Sequence, residues 1–283
     1  ALDLLDAWNT GHEGGAATVE DGLQVFEDTT GRDLSQFKLW YTQAGTPRLK
    51  VYEAWSPGVQ GGTFTLTFAQ ENPATPGQSE KLAKVIPIAV GLLNPNGHEV
   101  VPTTVLEMTK PVQSFAFEGL AAKPVPSILR GFSAPVILER AVPASERAFL
   151  LAHDTDPFNR WEAGRALAKD VLARMITDGA AALPDLLDGM VRLALDPSLD
   201  PAFRALVLRL PGEDDMAATL HAAGHVPDPA RIHAARQAQR FTTLHRQLQG
   251  VNEERENHER GDDGNCCHRH DKPVGGMPRG WGK

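Results

Sequence analysis

Residues 32–49 read R-D-L-S-Q-F-K-L-W-Y-T-Q-A-G-T-P-R-L, and within them a helical pattern gives way to an extended one. Asp33 is placed to accept at a helix N-terminus, and Gln36, three residues on, can reach back to it. Leu34, Phe37, Trp40/Tyr41 and Ala44 recur at helical spacing, so one face is apolar. Gly45 stands where a helix needs a left-handed residue to end, and Pro47 blocks its resumption. The spacing predicts a helix over Asp33–Ala44, a strand after it, and a boundary between two domains.

On the N-terminal side, Thr18 is placed to cap a helix over Val19–Thr29. Glu20 and Asp21 sit in its first turn near the positive end of the dipole, and Gly31 ends it. Two helices of this size bury too little surface to fold alone, so they require a packing partner. Residues 1–10 show no clear register.

On the C-terminal side the period becomes two. Thr63–Phe68 alternates, with Phe64, Leu66 and Phe68 on one face and threonines on the other, which predicts a half-buried strand. Val85–Leu93 puts Ile86, Ile88, Val90 and Leu92 on one face. Asn94-Pro-Asn-Gly97 is a turn, and Glu99–Met108 returns. Gln113–Phe117 sets Phe115 and Phe117 on one side. Pro124–Glu139 reads as a last extended stretch with a kink at Gly131. Gln70–Lys84 reads as a long loop over one end. Roughly seven short strands punctuated by Gly and Pro predict an immunoglobulin-like sandwich. Pro87 and Pro126 then belong at edges or strand starts.

From Val142 to Gly250 the period is helical. Asp-Pro recurs at 156–157, 196–197, 200–201 and 228–229. Aspartate accepts at an N-cap, and proline suits the first helical position because its missing N–H has no partner there. Three of these pairs are expected to open helices, and Asp196-Pro197 to end one. Phe203, Leu206, Val207 and Leu210 mark one apolar face, and Leu187, Met190, Val191 and Ala194 another. Helices joined by short loops predict a stacked, solenoid-like array. After Val251 the chain is charged or rich in His, Gly and Pro, and such a tail is expected to be disordered.

The whole is read as a multidomain α and β chain: an Ig-like antiparallel β-sandwich, residues 45–141, flanked by N-terminal helices, 1–44, and an α-helical segment, 142–250, with a tail, 251–283. Its 283 residues are 41% hydrophobic and 23% charged, with a formal net charge of -8. That balance disfavours a general nucleic-acid binder. No run approaches the ~18 apolar residues of a membrane helix, and the start lacks a basic signal-peptide region. The two cysteines, Cys266 and Cys267, form no disulfide framework, which fits a cytoplasmic protein.

Candidate chemistry is sparse. A zinc hydrolase needs two imidazoles one helical turn apart with a glutamate beside the metal-bound water, as in H-E-x-x-H. His12-Glu13 begins that pattern, but Ala16 occupies the second histidine position. His221 and His225 are spaced to share a helix face, yet Ala222 stands where the glutamate belongs. Cys266-Cys267-His268-Arg269-His270 clusters metal ligands without a second half. Trp40-Tyr41 and Trp161 read as core, with Arg160 and Arg165 on a solvated face. No phosphate-binding or nucleophile-elbow motif occurs.

Several long runs resemble the bacterial aminopeptidase N family of zinc metallopeptidases: Gly31–Leu49; Thr63–Gln78 (T-F-T-L-T-F-A-Q-E-N-P-A-T-P-G-Q); Val85–Leu93; Gln113–Glu139 (Q-S-F-A-F-E-G-L-A-A-K-P-V-P-S-I-L-R-G-F-S-A-P-V-I-L-E); and Phe149–Arg165 (F-L-L-A-H-D-T-D-P-F-N-R-W-E-A-G-R). The resemblance spans about residues 11–250. It implies that residues up to Ala44 resemble the end of a thermolysin-like catalytic domain. Gly45–Ala141 resemble the small β-sandwich after it, and Val142–Gly250 the start of a large helical domain. That family removes single amino acids from peptide N-termini with zinc held by H-E-x-x-H and a later glutamate. Those elements lie upstream of everything matched, so no catalytic, cofactor-binding or metal residue carries over. The expectation is the rear part of such an enzyme, inactive alone, with the catalytic domain as its packing partner. It would be a gene fragment whose tail is out of frame or acquired by fusion. The rivals are a standalone sandwich-and-helix binding module and a metal-binding tail.

Overall fold

Alternation in one strand decides the architecture. In Gly62–Glu71, residues Phe64, Leu66 and Phe68 are fully buried and the threonines between them half-buried. The computed structural model describes residues 6, 8, 15–180, 189–191, 193, 195–197 and 199–240. In chain order its strands are β1 (Arg48–Ser56), β2 (Gly62–Glu71), β3 (Ile86–Leu93), β4 (Glu99–Met108), β5 (Val112–Leu120), β6 (Val125–Ile128) and β7 (Ile137–Glu139). They form two sheets, ordered β5-β2-β1-β7 and β4-β3-β6. All pairings are antiparallel except that of β7, which lies parallel to β1. Leu49, Phe64, Leu66 and Phe68 from one sheet meet Ile86, Ile88, Val90 and Leu92 from the other in a single core. Each such side chain contributes about 1.5–3 kcal/mol on burial. Phe115 packs edge-on against Phe68, with centroids 6.1 Å apart.

β3 breaks the alternation, because Ala89, Gly91 and Leu93 are buried as well. Its outer face is covered by the segment that follows β6, so both faces lose water. Pro126 sits in edge strand β6. Pro87 is the second residue of β3, and β6 pairs only with Val90–Leu93, so no strand faces the proline on that side.

The expected single stretch Pro124–Glu139 is instead two strands in different sheets, separated by a 3₁₀ turn, Arg130–Phe132. The cause is local. Leu129 (φ 61°), Gly131 (φ 61°) and Phe132 (φ 55°) are all left-handed. For a residue other than glycine this costs about 1–2 kcal/mol, so surrounding contacts must hold it.

The expected helix Asp33–Ala44 also shrinks. The helix proper, α2, is Leu39–Thr42, after a helix α1 at Val19–Thr30. Asp33 accepts from Ser35 N at 2.8 Å, an Asx turn rather than a helix cap. Leu39, Trp40 and Tyr41 bond three residues back, in 3₁₀ fashion. Gln36 does not reach back to Asp33, because its side chain is engaged by the sandwich. Gly45 is left-handed, at φ 86°. α1 matches its expectation with one residue added. Thr18 and Asp21 form a reciprocal capping box, and Gly31 (φ 67°) closes the helix.

After the sandwich come α3 (Ala144–His153), α4 (Pro157–Thr177), α5 (Pro201–Val207), α6 (Glu213–Ala222) and α7 (residues 229–240). Three Asp-Pro pairs open helices. Asp156 accepts from Asn159 N, Asp200 from Ala202 N and Phe203 N, and Asp228 from Ala230 N and Arg231 N. Helical backbone at residue 195 stops before Asp196. The chain divides into two compact units, residues 1–166 and 167–283, the division falling within α4. In the second unit Leu172, Ile176, Met216, Leu220, Ile232 and Ala235 form a core. The face expected from Phe203, Leu206, Val207 and Leu210 does not form. α5 ends at Val207, which is buried, while Leu206 is 43% exposed. Met190 is buried and Val191 half-buried; Leu187, Ala194 and the tail 251–283 lie outside the described residues.

Candidate functional site

Two polar clusters flank the sandwich. The first ties residues 34–45 to the loops beside them. Gln36 Nε2 donates to the carbonyls of Ala83 (3.0 Å) and Thr109 (2.6 Å). Trp40 Nε1 donates to Val85 O at 2.7 Å. Lys84 Nζ donates to Gln43 O at 3.1 Å and lies 4.6 Å from the Trp40 ring centroid. Gln78 accepts from Ala44 N and donates to Thr42 O, both at 2.8 Å, and Lys81 Nζ donates to Ala44 O at 2.6 Å. Lys84 is buried, and its ammonium meets a carbonyl and a ring face rather than a carboxylate. Burial, with a smaller push from Lys81, therefore lowers that ammonium below the usual lysine range.

The second cluster centres on Arg130, buried on the outer face of β3. Nε donates to Ser127 Oγ at 2.9 Å, Nη1 to Thr103 Oγ1 at 2.9 Å and to Glu99, and Nη2 to Asp154 Oδ1 at 3.2 Å. Ser127 Oγ also accepts from Asn159 Nδ2 at 2.7 Å, and the same amide reaches Ile128 O at 3.0 Å. Gly131 N donates to Asp156 Oδ2 at 3.1 Å. Gly91 is required here, because a Cβ would fall within 2.5 Å of Arg130 Nη2 and closer still to Cζ and Nη1. Burial pushes the Asp154 carboxyl above its usual range. The Ser127 hydroxyl, the Asp156 N–H and the Arg130 guanidinium pull the other way without prevailing. A further arginine, Arg140, whose side chain is 7% exposed, joins β1 to α3 through Glu53 (Nε–Oε1 2.6 Å) and Glu146.

These groups satisfy carbonyls and balance charges, which is the chemistry of a joint. Apolar hollows also lie among the described residues of the first unit. One is a hollow of about 320 Å³ lined by Trp8, Val19, Leu23, Phe26 and Tyr41, and no residue of α1 is buried. Another, of about 460 Å³, runs beside Phe132, Ile137, Leu138, Leu150 and Phe158.

Of the candidate ligands named from the sequence, His221 and His225 lie among the described residues. His12 and Glu13 lie outside the described residues; Ala16 is exposed. His221 is in the last turn of α6, but the helix closes through left-handed Gly224, and His225 N bonds back to Leu220 O. The two imidazoles therefore do not share a helix face. Cys266, Cys267, His268 and His270 lie outside the described residues. Among the described residues no group of three or more His, Cys, Asp or Glu is placed to hold a metal ion. Trp40 packs on the sandwich core, whereas Tyr41 is 58% exposed. Trp161 packs on Phe158, at 5.9 Å, under Arg165. Arg160 is not on a solvated face: it is half-buried and donates to the carbonyls of Leu151 (3.1 Å) and Ala152 (3.5 Å) at the end of α3.

Motif reading missed Lys84, Arg130, Asp154 and Asn159, and gave Gln36 a capping role instead of its two bonds to the sandwich. A signal was nonetheless present, since all but Lys84 lie inside the family-like runs.

Residues 45–141 match the family described as a domain of unknown function, DUF3458, with an Ig-like fold, and residues 144–261 match DUF3458_C, described as ARM repeats. The chain is 35% identical over 240 residues to aminopeptidase N of Escherichia coli and 41% identical over 231 residues to that of Caulobacter vibrioides, in each case over 80% of its own length. It spans about a quarter of these relatives, 27% and 26% respectively. Among solved structures it resembles Legionella pneumophila aminopeptidase A, crystallised with aspartic acid, with a TM-score of 0.70 at 28% identity over 83% of this chain and 26% of that one. An Ig-like sandwich followed by helical repeats, related in sequence to aminopeptidases N along most of its length, makes this chain homologous to one region of the aminopeptidase N family.

Proposed function

We propose that this chain is the rear, non-catalytic part of an aminopeptidase N, an enzyme that uses zinc to remove N-terminal amino acids from peptides in the cytoplasm. The observation that carries the reading is the relationship over 80% of the chain to proteins of which it spans about a quarter. The open apolar face of α1 supports it, with Val19 45% and Phe26 48% exposed, since such a face requires a partner. Residues 1–44 close the catalytic domain, 45–141 form the sandwich, 142–250 begin the helical domain, and 251–283 are a tail. The sandwich braces the other two, and the catalytic region of the complete enzyme is the packing partner. The chain contributes no catalytic, cofactor-binding or metal residue, and peptides bind only in the complete enzyme. Neither nucleic acid nor membrane is a partner. Among the described residues no helix is long and apolar enough to cross a membrane.

The purified chain is expected to leave an aminoacyl-nitroanilide intact with or without added zinc. Zinc-dependent, chelator-sensitive cleavage would overturn the proposal. The second reading, a standalone binding module, is favoured by the separate core each unit owns. It expects a monodisperse chain that binds no apolar dye, whereas the first expects dye binding at the open face.

A further inference from the structure

We propose that the sandwich is keyed rather than hinged at both ends, so that residues 34–159 move as one rigid body. That rigidity belongs to the chain itself, whether or not the enzymatic reading holds. Flexible connections between domains are exposed segments across which few contacts pass. The two here have the opposite character. At the front, four side chains of the sandwich loops and the connector (Gln36, Trp40, Gln78 and Lys81) bind backbone groups across the joint. Lys84 adds a bond to Gln43 O and stacks on Trp40. Backbone partners fix position along the chain, because a carbonyl cannot turn away as a side chain can.

At the rear the lock is charged and buried. Arg130 joins β4, β6 and the end of α3 through Glu99, Ser127 and Asp154, while Asn159 at the start of α4 returns to Ser127 and Ile128. Swinging α3 and the start of α4 away would leave a buried guanidinium and a buried carboxylate without each other. Left-handed Leu129 and Phe132 on either side of Arg130 belong to the same lock, since that backbone persists only where its surroundings hold it. Arg140 is a second strut, from Glu53 on β1 to Glu146 on α3. Relative motion of whatever precedes residue 34 and follows residue 159 must then be taken up outside this span.

Hydrogen exchange on the intact chain tests this. Peptides covering 34–45 and 153–160 are expected to exchange within about tenfold of the β3 peptide, since a rigid body opens as one unit. Connector peptides exchanging a hundredfold or more faster than β3 would overturn the proposal. Gln36→Leu keeps the bulk and removes the two bonds that Gln36 makes across the front joint. It is expected to speed exchange in 34–45 by at least about tenfold with β3 unchanged, and unchanged exchange in 34–45 would overturn the front key. If that variant does not fold, the comparison within the parent chain decides the question by itself.

Discussion

Replacing Gly91 by alanine is the sharpest probe of how the sandwich holds α3. Glycine within a strand is ordinarily a weakness, and alanine there gains about 0.5–1 kcal/mol. Here the new Cβ would meet the Arg130 guanidinium at 2.5 Å or less on three atoms. An arginine tip normally yields cheaply, but this one is held by Glu99, Thr103, Ser127 and Asp154 and is 3% exposed. Retreating to ordinary contact means moving by more than about 1 Å, which loosens at least two charge-assisted bonds worth about 1.5–3 kcal/mol each. Breaking a buried pair outright costs about 3–5 kcal/mol. After the intrinsic gain is deducted, Gly91→Ala is expected to destabilise the sandwich-bearing unit by about 2–4 kcal/mol. Urea unfolding followed by circular dichroism should show its midpoint falling with an unchanged slope. A midpoint equal to or above the parent's would refute the reasoning and mean that the arginine is free to move.

Other outcomes follow from the same contacts. Asp154 has its carboxyl raised on folding, so the native state binds the proton more tightly than the unfolded chain. Its contribution is full below the unfolded carboxyl range and is lost as pH rises through the folded value. Asp154→Asn lacks this dependence, so its urea midpoint relative to the parent should climb from pH 4 to pH 8; a flat difference would contradict the shift. Leu66→Ala, at a fully buried site facing the second sheet, is expected to cost about 2–5 kcal/mol in the same urea assay. Thr18→Ala removes the capping box and about 1 kcal/mol of helix stability. Because α1 buries no residue, the loss should appear as faster exchange over residues 19–30 while the sandwich midpoint stays put.

The parts of the fold that could be read directly were those set by short-range chemistry. Phe64, Leu66 and Phe68 alternate because side chains in a strand alternate, and one buried face sorts them without help from elsewhere. Asp156, Asp200 and Asp228 cap helices because a carboxylate two or three residues before free N–H groups needs no tertiary partner. Thr18 and Gly31 bounded α1 for the same reason. The polar residues were misplaced wherever a distant partner displaced the local one. Gln36 was within reach of Asp33, but two carbonyls, at Ala83 and Thr109, hold it instead, and the helix Asp33 was to cap contracts to four residues. Arg160 has the spacing of a surface residue and ends against the carbonyls of α3.

The candidate site was legible only as long family-like runs, without a motif inside them. Sequence by itself determined strands β1 to β5, most helix starts, the Ig-like and helical character, and the kinship with aminopeptidases N. Tertiary structure alone decided that Pro124–Glu139 splits between two sheets, that His225 leaves the helix of His221, and that Arg130 gathers Glu99, Ser127 and Asp154 from three separate elements. The division is physical: periodicity and capping act over about four residues. The partner of a buried charge is chosen by whatever the folded chain brings within about 3 Å of it, at any separation along the sequence.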